Sequence, residues 1–436
     1  MRNILACAAL ACLVLSARGD DWPQWMGPTR DGVWAEKGII DKIPEAGLKA
    51  LWRTPIAGGF AGPSVAGGKV FVHDLKTAGD VKAGSQPFRP KGPIKGTERV
   101  HCLDAKTGKI LWTHEYAIEA KVSYPTGPRA TPTVAGGHVY SVGMAGRLCC
   151  LDAATGKPVW EKELTKEYEM KEVPLWGFCS HPLVVGDKLY LVAGGKGSVC
   201  VCLDAKTGKE VWRALDAEEP GYSHPALMTL GGKSRLVVWT PESVNALEPD
   251  TGKAVWSVKL APNYAMSIMA PIKSGDHLFA GGIGEQSALI KVDGDAAEAV
   301  QRGKRNTFLH PVNMTPLAEG ETIYGVDTRG AFMAVDLKTG KRLWETFKPT
   351  TGDGPENSGT AFLIKNGARH FLFNEKGELV LAKLSREKYE EVGRAKLVEP
   401  TSFAFGRKVV WSNPAFANKC VFVRNDKEMA CFSLAE

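Results

Sequence analysis

The chain lacks the marks of a familiar reaction. No G-x-S-x-G, H-E-x-x-H, Walker A or dinucleotide-binding glycine fingerprint stands in a supporting context. Its Thr-Gly-Lys turns are not phosphate loops, because they lack the GxxxxGK[ST] spacing and join strand to strand. The EF-hand spacing is absent as well. No segment approaches the roughly 18 consecutive apolar residues of a membrane span, and the run from Ile4 to Leu15 falls short of it. Neither is charge of one sign concentrated. The formal charge is +7, and the basic residues are scattered, many of them in Thr-Gly-Lys turns. That describes a solvated surface and excludes a nucleic-acid stripe. What is plentiful is apolar matter: 44% of residues, enough for a sizeable core and too much for wholesale disorder.

Residues 1–19 read as a secretory signal peptide: Arg2, the apolar run, then Ala17-Arg18-Gly19 as a small-x-small cleavage site that leaves Asp20 first. A lipoprotein anchor at Cys12, after Ala9-Leu10-Ala11, would cut inside the apolar run and ranks behind plain export. The expected location is therefore periplasmic or secreted. Ten cysteines less Cys7 and Cys12 leave eight. Export permits disulfides, but Cys102, Cys150 and Cys202 fill a slot that Ala246 and Ala334 fill elsewhere, which suits small packing residues.

That slot belongs to an eleven-residue phrase, Cys102–Trp112 (CLDAKTGKILW). It returns at Cys150–Trp160, Cys202–Trp212, Ala246–Trp256 and Ala334–Trp344. A small and an apolar residue end one strand, Asp or Glu with Thr and Gly make a turn, and a second strand carries Trp four residues past the Gly. The acidic side chain accepts from backbone N–H groups just ahead, and Gly108, Gly156, Gly208, Gly252 and Gly340 supply the positive φ. Each phrase is a β-hairpin. Upstream of it a Pro opens a short strand, and eight residues later an aromatic marks another, as in Pro63 and Phe71 or Pro182 and Tyr190.

The unit is thus four strands of about 45 residues, the size of a propeller blade. Trp52, Trp112, Trp160, Trp212, Trp256 and Trp344 are spaced by 60, 48, 52, 44 and 88 residues. The last interval is twice 44, so an eroded phrase is expected near residue 300, at Ile290–Val300. Another degenerate unit is expected from about Thr360 to Ala395. Pro414 to Leu434 supplies three strands without a Trp strand, and the stray strand around Trp52 is what it lacks. The fold predicted is all-β: one eight-bladed propeller of four-stranded antiparallel blades over 20–436, its last blade closed by the N-terminal strand. Residues 20–48 form an N-terminal extension, and 76–99, rich in Gly, Pro and Lys, form a loop insertion or an arm for an acidic partner.

These phrases resemble the quinoprotein-type repeat, Ala-x-Asp-x-x-Thr-Gly-x-x-x-Trp. It is shared by the pyrroloquinoline quinone (PQQ)-dependent alcohol dehydrogenases and by the propeller lipoproteins of outer-membrane barrel assembly. The resemblance covers nearly the whole chain after the leader and implies that each Trp docks against the turn of a neighbouring blade. The opening Asp21-Trp-Pro-Gln-Trp-Met-Gly-Pro-Thr-Arg-Asp-Gly also looks like secreted PQQ-like repeat proteins, except that Met26 stands where Arg is usual. Cys149-Cys150 invites comparison with the adjacent-cysteine disulfide near the cofactor of those dehydrogenases. Within a strand, however, the two side chains point to opposite faces.

The residue before each Pro strand changes round the ring: Gly62, Thr131, His181, His224, Ala270, Thr315 and Asn413. In propellers of the type these repeats resemble, segments entering the innermost strand lie near the central channel, so Arg129, Trp176, His181, Tyr222, His224, Tyr264 and Asn313 form a candidate funnel for a small ligand or peptide. The plainer alternative is that His181 and His224 satisfy local backbone groups. Asp353, Glu356 and Asn357 offer oxygens to calcium, or make a polar linker.

Two functions follow. The leading one is an exported, monomeric, non-enzymatic scaffold with a protein partner in the cell envelope or a small ligand, with no metal, no nucleic acid and no catalytic residues. The alternative, implied by the resemblance, is an oxidoreductase using PQQ and calcium, whose ligand set and catalytic Asp have no assignable position here.

Overall fold

The computed structural model describes residues 21–79, 92–352 and 354–436. The proposed signal peptide, Cys12, residues 80–91 of the Gly/Pro-rich insertion and Asp353 lie outside the described residues. Eight four-stranded antiparallel sheets make an eight-bladed propeller. Blade 1 runs through Ser64–Ala66, Lys69–Thr77, Ile94–Asp104 and Ile110–Ala120. Blades 2 to 7 occupy 133–163, 183–214, 226–259, 272–302, 317–346 and 361–396. Blade 8 takes Ala415–Ala417, Cys420–Arg424 and Glu428–Ser433 from the C-terminal region and Ala50–Pro55 from the N-terminal one. Trp52 pairs with Cys431, which closes the ring with backbone hydrogen bonds between the two ends of the described chain.

The turn chemistry accounts for the recurring hairpins. Asp104 Oδ1 accepts from the Thr107 N–H and hydroxyl, both at 2.8 Å, and Asp152, Asp204 and Asp336 repeat the arrangement. The glycine that follows has φ near 70° at all five sites and lies under an indole or its substitute. Trp52, Trp112, Trp160 and Trp212 cover Gly108, Gly156, Gly208 and Gly252 of the next blade. The indole N–H donates to a carbonyl of that same turn, as Trp160 does to Ala205 at 2.9 Å. One indole thus buries apolar area and satisfies a turn carbonyl across each of these blade boundaries.

The degenerate blades keep the joint by other means. In blade 5, Gln286–Asp293 and Ala296–Arg302 form the hairpin anticipated near residue 300, and Gln301 occupies the register of the Trp. Its amide donates to Lys338 O at 2.6 Å, while Phe308 covers Gly340. In blade 7 the same register holds Gly393, with Ile43 of the N-terminal extension packed against it.

Two features differ from the sequence expectation. The insertion assigned to 76–99 is narrower, because Asp74 to Thr77 pair with Arg99 to Gly96 and lengthen the blade 1 hairpin. Asp74 and Arg99, joined at 2.7 Å, anchor that extension, and a composition rich in Lys and Gly hides it. An extra hairpin, Ser402–Ala404 with Arg407–Val409, precedes blade 8. The slot cysteines Cys102, Cys150 and Cys202 are buried and free, as packing residues are.

Candidate functional site

All eight linkers that enter the inner strands meet around one cavity of about 360 Å³ in the central channel. Arg129, Trp176, His181, Tyr222, His224, Tyr264 and Asn313 all line it. Trp25, Phe60, Tyr124, Phe405 and Trp411 line it too and were not singled out from the sequence. Phe60, Tyr124 and Trp411 lie in the same pre-strand linkers, so the rule that selected Tyr222 would have found them. Phe405 sits on the unforeseen hairpin, and no local signal says where the segment bearing Trp25 docks.

That segment plugs the channel below the cavity. Trp22 bridges Val65 of blade 1, Pro23 O accepts from Val134 N–H of blade 2, and Val33 bridges Lys365 of blade 7. Between them Trp25, only 4% exposed, stacks on His181 at 5.0 Å and meets His224 edge to face at 4.5 Å. Arg30 holds the plug to blade 3, donating to Pro182 O at 3.0 Å with its guanidinium 5.3 Å from the Trp25 ring. Burial pulls Arg30 down to about 9.

The pre-proline positions form a relay round the channel. Thr131 N–H donates to His181 Nδ1 at 2.8 Å, His181 N–H to His224 Nδ1 at 3.3 Å, and Ala270 N–H to Thr315 Oγ1 at 3.2 Å. A Pro at the strand start has no N–H of its own, and the preceding N–H is capped by the next blade. His181 and His224 therefore do satisfy backbone groups. Because Nδ1 accepts, Nε2 of each neutral ring carries the proton, which makes the pair hydrogen-bond donors and poor metal ligands. Burial holds both imidazoles well below the usual histidine range, and the second imidazole and Arg30 add to this at His181.

Arg129 is a brace. It donates to Gly127 O and, at 2.6 and 2.7 Å, to Ser123 O and Tyr124 O, while its guanidinium lies 5.4 Å from the Phe60 ring. Trp176 and Tyr222 meet edge to face at 5.4 Å, and Asn313 donates to Ser358 O at 3.3 Å. Tyr264, 62% exposed, stands at the rim. Tyr124, Tyr264, Ser358 and Phe405 all have φ between 48° and 59°, in the left-handed region. Such conformations cost side-chain-bearing residues roughly 1–3 kcal/mol each, and four of them bound this one cavity.

Among the described residues, the lining contains no Asp or Glu. Calcium takes several hard oxygens, usually with carboxylates among them, and the described residues of the lining do not assemble that set. Glu356 lies 3.7 Å from Arg407 instead, and Asn357 O accepts from the same guanidinium. PQQ is a tricarboxylate, and the one arginine of the lining, Arg129, already spends its donors on carbonyls. Among the described residues, those that line this cavity do not fit a calcium–PQQ pair. Nor do Cys149 and Cys150 reach the cavity: both are buried in blade 2, on opposite faces of one strand.

Comparison with known proteins agrees with the fold. The chain is similar to the assembly factor BamB of Shewanella oneidensis, 26% identical over 204 residues, 45% of this chain and 50% of that protein. It thus spans about half the length of that curated relative. Its structure is similar to BamB from Moraxella catarrhalis (TM-score 0.55, 16% identical, covering 88% of this chain and 97% of that one). It is also similar to a europium-containing methanol dehydrogenase (TM-score 0.61, 14% identical, covering 96% and 99%). Identities this low speak to the fold alone. A family model described as outer membrane protein assembly factor BamB matches residues 96–346, more than half of the sequence, and the chain belongs to that family.

Proposed function

We propose that this protein is an exported, non-enzymatic scaffold that holds an apolar, carbonyl-bearing segment of an envelope protein in its central cavity. The observation that carries the reading is the make-up of the cup: aromatic walls drawn from several blades, no carboxylate among the described residues, and a base of two imidazoles whose Nε2–H groups are donors. Aromatic faces take up apolar side chains, and the donors suit a peptide carbonyl. The name of the matched family, an assembly factor for outer membrane proteins, supports a protein as occupant. Catalysis by PQQ is the competing reading, and the lining argues against its cofactors.

A photo-crosslinking residue in place of Tyr264, at the rim, tests this in an exporting cell. A discrete crosslinked partner is expected, and filling the cup with Thr315→Trp is expected to abolish it. Absence of any partner, or capture indifferent to the filled cup, would overturn the scaffold reading. Dye reduction by the purified chain with PQQ, calcium and simple alcohols would establish the oxidoreductase instead.

A further inference from the structure

We propose that His114, Cys149 and Glu161 bind a zinc-class divalent cation between blades 1 and 2. His114 lies on the outer strand of blade 1, while Cys149 and Glu161 are cross-strand partners in blade 2. One nitrogen, one sulfur and one oxygen from these side chains all lie within 4.8 Å of one another. His114 Nε2 stands 3.1 Å from Glu161 Oε1, and Cys149 Sγ stands 3.4 Å from the same oxygen. Zinc binds N and O at about 2.0–2.2 Å and S at about 2.3 Å, so the edges of a tetrahedral site are about 3.3–3.6 Å. Two of the three edges, both to Glu161 Oε1, are already close to that spacing, and the third, between His114 and Cys149, lies within 4.8 Å, with a fourth position left for water.

The mixed donor set selects the metal. A thiolate and an imidazole favour zinc over magnesium or calcium, which want oxygen alone. Charge also balances. Thiolate and carboxylate offset the two positive charges of the ion, and Arg147, 2.9 Å from Glu161, has Glu163 as its second partner at 2.7 Å. Burial and the Glu161 carboxylate keep the Cys149 thiol protonated when no ion is bound, so uptake releases one proton to solvent. His114 and Glu161 are 14% and 27% exposed at their side chains, which gives an ion a way in from the outer rim. Once bound, it would pin the long outer strand of blade 1 to blade 2.

Cobalt(II) added to the reduced, purified chain tests the site. The expected result is one cobalt per chain, with a cobalt–thiolate charge-transfer band and tetrahedral visible bands that zinc bleaches. Cys149→Ser should remove the thiolate band in a chain that still melts cooperatively. His114→Gln, which keeps every thiol, should weaken zinc at least tenfold. A wild-type chain without the band, a band that survives Cys149→Ser, or unchanged zinc affinity in His114→Gln would each overturn the proposal.

Discussion

The indole of Trp52 covers Gly108: a Cβ on that glycine would stand 2.6 Å from the ring, and the indole N–H reaches Ala105 O at 2.9 Å. Trp52 is also the residue that pairs with Cys431. One side chain therefore joins the eighth blade to the first while its backbone completes the eighth. Trp52→Ala is expected to cost about 3–5 kcal/mol in urea unfolding, the range for a buried aromatic. Gly108→Ala is expected to cost more than about 2 kcal/mol, since φ is 72° and the new methyl meets the ring. Costs near the roughly 0.5 kcal/mol of an ordinary surface change would mean that closure does not depend on this joint.

Trp256 is the exception among the repeat tryptophans. Its indole N–H is buried without a partner, because blade 5 turns with a shorter hairpin at Gly294 and offers no matching carbonyl. Trp344, by contrast, donates to Ser385 O at 2.9 Å. Trp256→Phe should therefore cost about 1 kcal/mol less than Trp344→Phe, because it removes an unsatisfied donor where the other orphans an acceptor. Paired chemical melts of the two variants read the difference directly, and equal losses would refute it.

The fold was legible because a turn that needs Asp, Thr, Gly and a distant Trp writes all four into the chain at fixed spacing. Even the eroded repeat near residue 300 could be placed from the doubled interval between Trp256 and Trp344. The strand around Trp52 lacks a first half of its own, which points to a partner at the far end of the chain, and it pairs there with Cys431. The rim of the cup was half legible: Trp176 and Tyr222 follow from their place before a Pro strand, and Trp411 obeys the same rule. Trp25 does not, since its position depends on how residues 21–34 thread a channel that exists only after the ring has closed. The substitution of Gln301 and Phe308 for one tryptophan was likewise out of reach, because it divides one residue's two tasks between separate segments.

His181 and His224 make acid a specific hazard. Their rings are 4.0 Å apart, Arg30 lies beneath them, and burial holds both well below the ordinary histidine range. A depressed histidine contributes its stability above the unfolded-state value of about 6.5 and loses it as pH falls, because the unfolded chain then binds the extra protons. The melting temperature should decline on acidification below about pH 6.5. The decline should be shallower in a His181→Gln, His224→Gln double variant, whatever that variant loses at pH 8. Parallel pH profiles for the two chains would show that the pair is not responsible.

Glu98 predicts the opposite slope. Its carboxyl is wholly buried, with Oε1 accepting from Met144 N–H at 2.9 Å and Oε2 from Tyr116 OH at 2.8 Å, and burial pushes it up to about 7. The facing His73, 4.0 Å away, is itself lowered to about 3 by burial and supplies no charge in return. A carboxyl with a raised value is most favourable below its unfolded value of about 4.5, and that contribution is lost as pH rises through 7. Glu98→Gln keeps an acceptor for Met144 and never ionises. Its melting temperature should therefore gain on the wild type between pH 5 and pH 8, by an amount corresponding to no more than about 3 kcal/mol. A difference that stays constant across that window would mean Glu98 ionises in the folded protein as readily as in the unfolded one. The bonds from Met144 and Tyr116 would then have offset the burial in full.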